Sequence, residues 1–487
     1  MSPLSERSPA LARGAPSLAG LVAPCVAALS LGAAACSLQD ASYDACETNR
    51  QCTASFGLGS VCASDGLCSE PLRHPRCSDS YPEDLFDDPA RYGDAIVFGS
   101  LFNLDNPTQQ ARQNAVRLAI AQIDLEGGLE GRPFGMVLCD IRPGLGDAST
   151  STLDGALAAS EYLSATLEVP ALLGPSSSTD VAGVFQAVRE RGIFVISPSA
   201  TSPALTDVDE PNPDDARPGL LWRTAPPDSL QGEAIAADMV ARGITNVSVI
   251  SQTGAYGEGL RAVFERVFPS SFDLYVFSNV NQLSEAITLA GNGSAQEVLF
   301  IASTQDDVVT FLTAAATNAG YGSKTLFLTD SAATQDTLDR GPAALFPKIR
   351  GTRPRPLDTR DTVYGNFVAS YAAEYQDDVT QFSFTSQAYD MTWITALGAA
   401  WAALEEGEIT GLNIARGARH LSDGEELILT PSLWNGALQR FRAGQSVNIR
   451  GASGTLDYLP ESEETSAPFD VWYIDTSTAP RITTSAR

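Results

Sequence analysis

A serine-rich loop carries the clearest binding chemistry in the sequence. The apolar run 169–173 is followed by Ser176 and Ser177, and a predicted helix begins near Asp180. At the carboxyl end of a parallel strand, such a loop presents backbone N–H groups and hydroxyls to the ligand crevice. We therefore expect Ser176 and Ser177 to bind a carboxylate. An isolated run of serines would more simply be interpreted as a helix cap.

A second polar loop follows the next apolar run, 193–197, and contains Ser199, Ala200 and Thr201. An ammonium group needs hydrogen-bond acceptors, and a backbone carbonyl together with a threonine hydroxyl provides two. The two loops together predict a site for a small ligand with both charges. The alternative interpretation of this loop is an ordinary turn rich in Ser and Thr.

The elements that must position these loops alternate between strands and helices. From about Asp94 the chain repeats a short apolar run, a turn and an amphipathic helix, which is typical of βαβ units. The pattern stops at the acidic, proline-rich segment 206–219 and then restarts. The segments 387–404 and 468–475 are too few for a third domain and are expected to complete the first two. The predicted fold class is α/β, with two doubly wound parallel-sheet lobes.

Composition excludes several classes of function. With 44% hydrophobic and 18% charged residues, the 487-residue chain is globular rather than disordered. A formal net charge of -28 opposes nucleic-acid binding. The only histidines, His74 and His420, offer little for metal sites or Ser-His catalysis. Because no catalytic motif is present either, we expect a binding protein, not an enzyme, without metal or cofactor.

The N-terminal segment 1–35 has the form of an export signal. An uncharged stretch rich in Ala and Leu, 18–35, follows two arginines and ends in three alanines before Cys36. This junction resembles a bacterial lipobox, which predicts lipidation of Cys36 and a periplasmic or cell-envelope location on a lipid anchor. Cleavage by an ordinary signal peptidase is the alternative. Both alternatives predict an exported protein.

The segment 36–80 is predicted to be a small disulfide-bonded spacer. Four of its cysteines form a C-x5-C-x9-C-x5-C pattern in a stretch with too few apolar residues to fold without cross-links. A zinc knuckle is the alternative, but the C-x2-C pairs typical of zinc sites are absent. The candidates for disulfides are Cys46, Cys52, Cys62, Cys68, Cys77 and Cys139. A bridge from Cys77 to Cys139 is one hypothesis among the possible pairings.

Ordered motifs over about residues 94–475 resemble the type I periplasmic solute-binding proteins, in particular the leucine/isoleucine/valine-binding branch. The pieces that carry this resemblance are LLGPSSSTDVAG, GIFVISPSATSPALT, LWRTAPPDSLQGEAIA, GAYGEGL, AYDMTWITALGAA and VNIRGASGTLDY. The resemblance implies two α/β lobes joined by three crossing segments, with the ligand between them. Lobe 1 is expected to comprise 94–222 and 353–446, and lobe 2 to comprise 223–352 and 447–478.

The resemblance also implies roles for individual residues. Ser176 matches the family's carboxylate-binding serine, and Tyr256 matches a tyrosine that closes over the ligand. Asp330, with Ser331 as a fallback, resembles the acidic residue that pairs with the ligand ammonium. Phe384 lies where the family places an aromatic ring against the ligand side chain, and Tyr389 is a second candidate. Taken singly, these residues would be helix caps or core residues.

Two departures from the family pattern increase the polarity of the predicted ligand cleft. The loop after the first strand contains Asn103, Asp105 and Asn106, and residues 302–307 read ASTQDD. We therefore expect recognition of an amino-acid head group, without specificity for branched aliphatic side chains. The predicted function is solute capture for an ABC transporter permease. The alternative is a ligand-sensing ectodomain that signals to a partner protein, and neighbouring genes would distinguish the two.

Overall fold

The computed structural model describes residues 45–206, 208–357 and 359–484. The predicted signal segment and Cys36 lie outside these residues. The described part folds into a short cysteine-rich module and two lobes, each built around its own sheet. Within the described residues, no helix is long and apolar enough to cross a membrane.

The cysteine-rich module contains one helix and a two-stranded antiparallel sheet: α1 (Asn49–Phe56), β1 (Val61–Cys62) and β2 (Cys68–Ser69). Disulfides join Cys46 to Cys62 and Cys52 to Cys68. The predicted disulfide spacer is therefore present. Because these sulfurs are bonded to one another, they are not the thiolates that a zinc knuckle requires.

Lobe 1 begins with a six-stranded sheet in the order β3-β5-β4-β6-β7-β8. All neighbours are parallel except the edge strand β3. Strands β4 and β5 are buried on both faces, as the apolar runs in the sequence predict. The elements are β3 (Asp79–Tyr81), α2 (Pro89–Tyr92), β4 (Ile96–Phe102), α3 (Pro107–Leu125), β5 (Phe134–Asp140), α4 (Thr152–Glu161), β6 (Ala171–Leu173), α5 (Ser178–Val188), β7 (Phe194–Ser197) and β8 (Leu221–Arg223).

Three features attach the cysteine-rich module to lobe 1. Strand β3 pairs with β5, and Cys77 is disulfide-bonded to Cys139 on β5, as hypothesised from the sequence. The buried Arg76 donates hydrogen bonds to the carbonyl oxygens of Asp140 and Arg142 and to the carboxylate of Asp147. The module is thus part of the lobe 1 structure.

Removing the Cys77–Cys139 bridge is expected to destabilise lobe 1. The two cysteines are 62 residues apart, and a cross-link that closes a loop of this length typically contributes about 2–4 kcal/mol. We expect the Cys77→Ala/Cys139→Ala variant to lose about that free energy of unfolding in a urea titration. The Cys46→Ala/Cys62→Ala variant, which opens only the module, is the control. An equal loss in both variants would contradict this prediction.

Lobe 2 contains a seven-stranded sheet in the order β10-β9-β11-β12-β13-β17-β18, parallel through β13 and antiparallel beyond it. The first part of the lobe comprises α6 (Asp228–Ala241), β9 (Val247–Gln252), α7 (Ala255–Val267), β10 (Phe272–Phe277), α8 (Val280–Asn292), β11 (Glu297–Ile301), α9 (Gln305–Thr317), β12 (Thr325–Leu328), α10 (Gln335–Arg340) and β13 (Ile349–Pro354). The two-lobed α/β architecture predicted from the sequence is confirmed.

After β13 the chain returns to lobe 1 and covers its sheet. This part comprises α11 (Thr362–Tyr375), α12 (Thr385–Trp401), α13 (Gly411–Arg419), β14 (Glu425–Ile428), α14 (Leu433–Phe441), β15 (Val447–Gly451) and β16 (Gly454–Thr455). The chain then re-enters lobe 2 with β17 (Phe469–Asp475) and β18 (Arg481–Thr484). It therefore crosses between the lobes three times: after β8, after β13 and between β16 and β17.

The third crossing lies further along the chain than the sequence predicted. Residues from 447 onward were assigned to lobe 2, but Val447, Ile449 and Tyr458 are buried in the lobe 1 core with α12. Strand β15 has alternating buried residues and pairs with β14, which also belongs to lobe 1. Alternation identifies a strand with one buried face, but it does not reveal which core that face contacts.

Candidate functional site

Arg112 lies at the centre of the lobe 1 side of the site. Its guanidinium group donates hydrogen bonds from Nε to the Ser383 carbonyl oxygen (3.0 Å), from Nη1 to Ser199 Oγ (3.0 Å) and from Nη2 to Ser383 Oγ (3.1 Å). It also lies 5.4 Å from the centre of the Phe384 ring. Arg112 therefore connects helix α3, the polar loop after β7 and the start of α12.

The charge of Arg112 is buried and is not neutralised by an ion pair within the described residues. Its exposed fraction is 7%, and burial lowers its pKa to about 10. A buried charge is costly unless it is paired, so this guanidinium favours an anionic partner. The sequence analysis missed Arg112. The signal was present, because Arg112 shares one helix face with Val116, Ala119 and Ile123, which are all buried.

The two serines predicted to bind a carboxylate have different environments. Ser177 Oγ accepts a hydrogen bond from the Asp180 backbone N–H (3.1 Å), so Ser177 caps α5. Ser176 Oγ is buried and has no hydrogen-bond partner among the described residues. Ser199 Oγ donates to the Ser176 carbonyl oxygen (2.9 Å). Ser176 therefore has a hydroxyl that is available to a ligand, whereas Ser177 does not.

Asp330 is the centre of the lobe 2 side. Its Oδ1 accepts hydrogen bonds from Tyr256 Oη (2.6 Å) and Gln231 Nε2 (3.0 Å), and the whole residue is 6% exposed. Burial raises the pKa of Asp330, although these two donors and the charge of Arg112 oppose the increase. The structure therefore brings together Tyr256 and Asp330, both of which were selected from the family resemblance.

Asp228 joins the two lobes and was not selected from the sequence. Its backbone N–H donates to the Thr201 carbonyl oxygen (2.8 Å), and Thr201 Oγ1 donates to its Oδ2 (2.9 Å). Burial, together with the neighbouring charge of Asp330, raises the pKa of Asp228 well above its usual range. Asp228 Oδ1 and Gln231 Oε1 are buried acceptors without a partner among the described residues. In the sequence, Asp228 is indistinguishable from an acidic residue that opens a helix.

The lobes contact each other beside this polar network. Ser202 Oγ donates to the Ala255 carbonyl oxygen (2.6 Å). Gly259 allows this approach, because a Cβ atom at that position would lie 2.4 Å from Ser202 Oγ. The Ala200 carbonyl oxygen accepts a hydrogen bond from Arg223 Nη1 (3.3 Å), and its N–H donates to Ser197 Oγ. The backbone of Ala200 is therefore occupied within lobe 1.

Other residues singled out from the sequence have structural partners. Ser331 Oγ donates to the Ala302 carbonyl oxygen (2.6 Å), and Tyr389 packs in the lobe 1 core. Asn106 caps α3, and Asp105 forms an ion pair with Arg142. The polar loop after β4 thus stabilises local structure.

A pocket of about 100 Å³ lies between the lobes and next to Asp330. Of the predicted ligand-binding residues, Asp330 and Phe384 line it. The serine loop, Thr201 and Tyr256 belong instead to the closed polar network described above. The binding roles of all these residues remain predictions.

Comparison with known proteins identifies relatives of this architecture. A family model described as periplasmic binding protein matches residues 105–445. The uncharacterized protein MJ1266 of Methanocaldococcus jannaschii is 29% identical over 150 residues, and the Leu/Ile/Val-binding protein BraC3 of Rhizobium johnstonii is 27% identical over 155 residues. These alignments cover 29% and 31% of this chain, and 35% and 37% of the relatives. The chain thus spans little more than a third of the length of these curated relatives.

Solved structures match over most of the chain. The substrate-binding protein LivJ of Streptococcus pneumoniae, in complex with isoleucine, has a TM-score of 0.59 at 17% identity and covers 80% of this chain and 100% of its own. A solute-binding protein of Rhodopseudomonas palustris in complex with 4-hydroxybenzoate has a TM-score of 0.64 at 12% identity, with coverages of 81% and 96%. At these identities the similarity establishes the fold.

Proposed function

Because this chain belongs to the periplasmic binding protein family, we propose that it binds a small amino acid or related zwitterion between its lobes. The family match supports solute binding. The buried charged residues support recognition of an amino-acid head group. Arg112 and Ser176 of lobe 1 are assigned to the ligand carboxylate. Asp330 and Asp228 of lobe 2, with Thr201, are assigned to the ligand ammonium.

One observation carries this proposal: the buried Arg112 guanidinium of one lobe and the buried Asp330 carboxylate of the other lie close enough to interact electrostatically. The Arg112 charge affects the ionisation of Asp330. A ligand that contacts both lobes stabilises their closed arrangement, whereas a ligand that contacts one lobe does not. A zwitterion contacts both because each lobe supplies the partner for one of its charges.

The test is isothermal titration of the purified protein with the twenty L-amino acids. The tightest ligand is then compared with its α-carboxamide and its N-acetyl derivative, which remove the carboxylate charge and the ammonium charge separately. We expect both derivatives to bind at least about tenfold more weakly, as lost charge pairs in a buried site predict. If no amino acid binds, or if the derivatives bind equally well, the proposal is wrong.

The affinity for a zwitterion is expected to increase with pH. Burial raises the pKa of both Asp228 and Asp330, so an acid of this pair that holds a proton must lose it when an ammonium group binds. At low pH the protonated site without ligand is favoured. The ligand-bound site becomes more stable relative to it as pH rises through the raised pKa values. Titrations in phosphate and Tris buffers should show proton release, and Asp228→Asn should reduce it. Affinity that decreases with pH, with no proton release, would contradict this expectation.

We further propose that the protein is exported and held at the bacterial cell envelope by a lipid on Cys36, and that it delivers its ligand to an ABC transporter permease. The support is the family match and the signal-like segment 1–35. Metabolic labelling with a fatty-acid analogue, with Cys36→Ala as control, tests the anchor. Uptake of the identified ligand by cells with and without this gene tests delivery, and unchanged uptake would favour the sensing alternative.

A further inference from the structure

The pocket beside Asp330 is lined by residues from both lobes. Asp330 and Arg353 contribute from lobe 2, and Tyr364, Phe382 and Phe384 contribute from lobe 1. Asp330 is the residue assigned above to the ligand ammonium, and Phe384 contacts Arg112. The pocket therefore adjoins the residues assigned to the head group, and we expect the side chain of a bound amino acid to project into it.

Arg353 is an unsatisfied cation in this pocket. Its Nε is buried without a hydrogen-bond partner, and its side chain forms no hydrogen bond or ion pair with any other described residue. The carboxylate opposite it on β17, Asp470, forms an ion pair with Arg355 instead (2.7 Å). Burial lowers the pKa of Arg353, and the neighbouring charge of Asp470 opposes this decrease. An anion that reached Arg353 would therefore pair with a partly buried charge that forms no ion pair with another described residue.

The charged side chains of the pocket are mostly cationic. Among the described lining residues Asp330 is the only acidic one, whereas Arg353 and Arg355 are both cations. Tyr364, whose hydroxyl can donate a hydrogen bond, also lines the pocket. This concentration of positive charge is a local feature, because the whole chain carries a formal net charge of -28.

Building on the proposed function, we propose that the ligand is an amino acid with an acidic side chain, whose second carboxylate binds Arg353. Guanidinium and carboxylate groups match in a bidentate geometry, with two parallel charge-assisted hydrogen bonds. The corresponding side-chain amide has nearly the same shape but no charge. Such a ligand would use Arg112 for one carboxylate, Asp330 for the ammonium and Arg353 for the other carboxylate.

The test compares L-glutamate with L-glutamine, and L-aspartate with L-asparagine, by isothermal titration of the full chain. We expect at least one acid to bind about tenfold or more tightly than its amide. Arg353→Gln should remove this preference, so that each acid binds within about twofold of its own amide in the variant. Arg353→Lys should retain part of the preference, since it keeps the charge but not the bidentate geometry. Arg340→Gln, at an exposed ion pair with Asp306, is the control.

The outcomes separate this inference from the proposed function. If other amino acids bind but neither acid exceeds its amide in the wild-type protein, the inference is wrong and the zwitterion proposal stands. If the preference persists unchanged in Arg353→Gln, the assigned residue is wrong and the inference falls. If no amino acid binds at all, both fail. The wild-type comparison decides the ligand class even if Arg353→Gln does not fold.

Discussion

Asp330→Asn is expected to lower the affinity for the ligand about 100-fold or more. Asp330 Oδ1 accepts the hydrogen bonds from both Tyr256 and Gln231, and an asparagine oxygen can accept the same two. The substitution therefore removes the charge while preserving the local contacts. Loss of one partner from a buried charge pair costs about 2–5 kcal/mol in binding, and about 2.7 kcal/mol corresponds to 100-fold. Isothermal titration with the tightest-binding amino acid measures the effect.

The matched control for this substitution is Asp306→Asn in the same lobe. The Asp306 side chain is 82% exposed and pairs with Arg340 at the surface, where ion pairs contribute little. We expect the Asp306→Asn variant to bind the amino acid with the affinity of the wild-type protein. Thermal unfolding of both variants establishes that they are folded. Wild-type affinity in a folded Asp330→Asn variant would remove Asp330 from the binding site.

Arg223→Met is expected to destabilise the protein by about 3–5 kcal/mol, the usual cost of leaving one partner of a buried ion pair alone. Arg223 is the last residue of β8, and Glu464 lies on the third crossing between the lobes. Arg223 Nε donates to Glu464 Oε2 (2.6 Å), and Nη1 donates to the Ser202 carbonyl oxygen (2.7 Å). Both charged residues are buried. Urea unfolding of this variant and of the wild type measures the loss.

The double variant Arg223→Met/Glu464→Gln separates the charge from the packing. Because it leaves no unpaired charge, we expect it to recover a large part of the lost stability, and the double-mutant cycle gives the coupling energy. Arg340→Met, at an exposed pair, should change stability by less than about 1 kcal/mol. If adding Glu464→Gln to Arg223→Met restored no stability, the loss in Arg223→Met would come from packing and from the lost hydrogen bonds to the carbonyl oxygens that Arg223 binds.

The fold could be predicted from the sequence because each lobe is encoded by local patterns. The predicted apolar runs form parallel strands buried on both faces, and the predicted alternation with helices is seen where α3 (Pro107–Leu125) follows β4. Contacts distant in the chain were harder to predict. The spacing of Cys46, Cys52, Cys62 and Cys68 allows several pairings, and the observed bridges both span 16 residues. The return of β15 to lobe 1 depends on tertiary packing that periodicity does not encode.

The site was predicted in part. Loops after parallel strands were expected to face the ligand crevice, and Thr201 lies in such a loop beside the lobe contact. Tyr256 and Asp330 were selected from the family resemblance, and their side chains are hydrogen-bonded to each other. Two charged residues were missed, for different reasons. Arg112 could have been found, because a cation on an apolar helix face is unusual. Asp228 could not, since its sequence context equally describes a helix N-terminus, and only the partner loop from lobe 1 distinguishes the two.

The attachment of the cysteine-rich module has a mechanical consequence. The Cys77–Cys139 cross-link and the pairing of β3 with β5 join the module covalently and through its backbone to lobe 1. Any rotation of lobe 2 therefore takes place against a frame composed of lobe 1 and the module together. A fluorophore at the exposed Leu72 of the module, paired with one on lobe 2, would report that rotation without a label near the cleft.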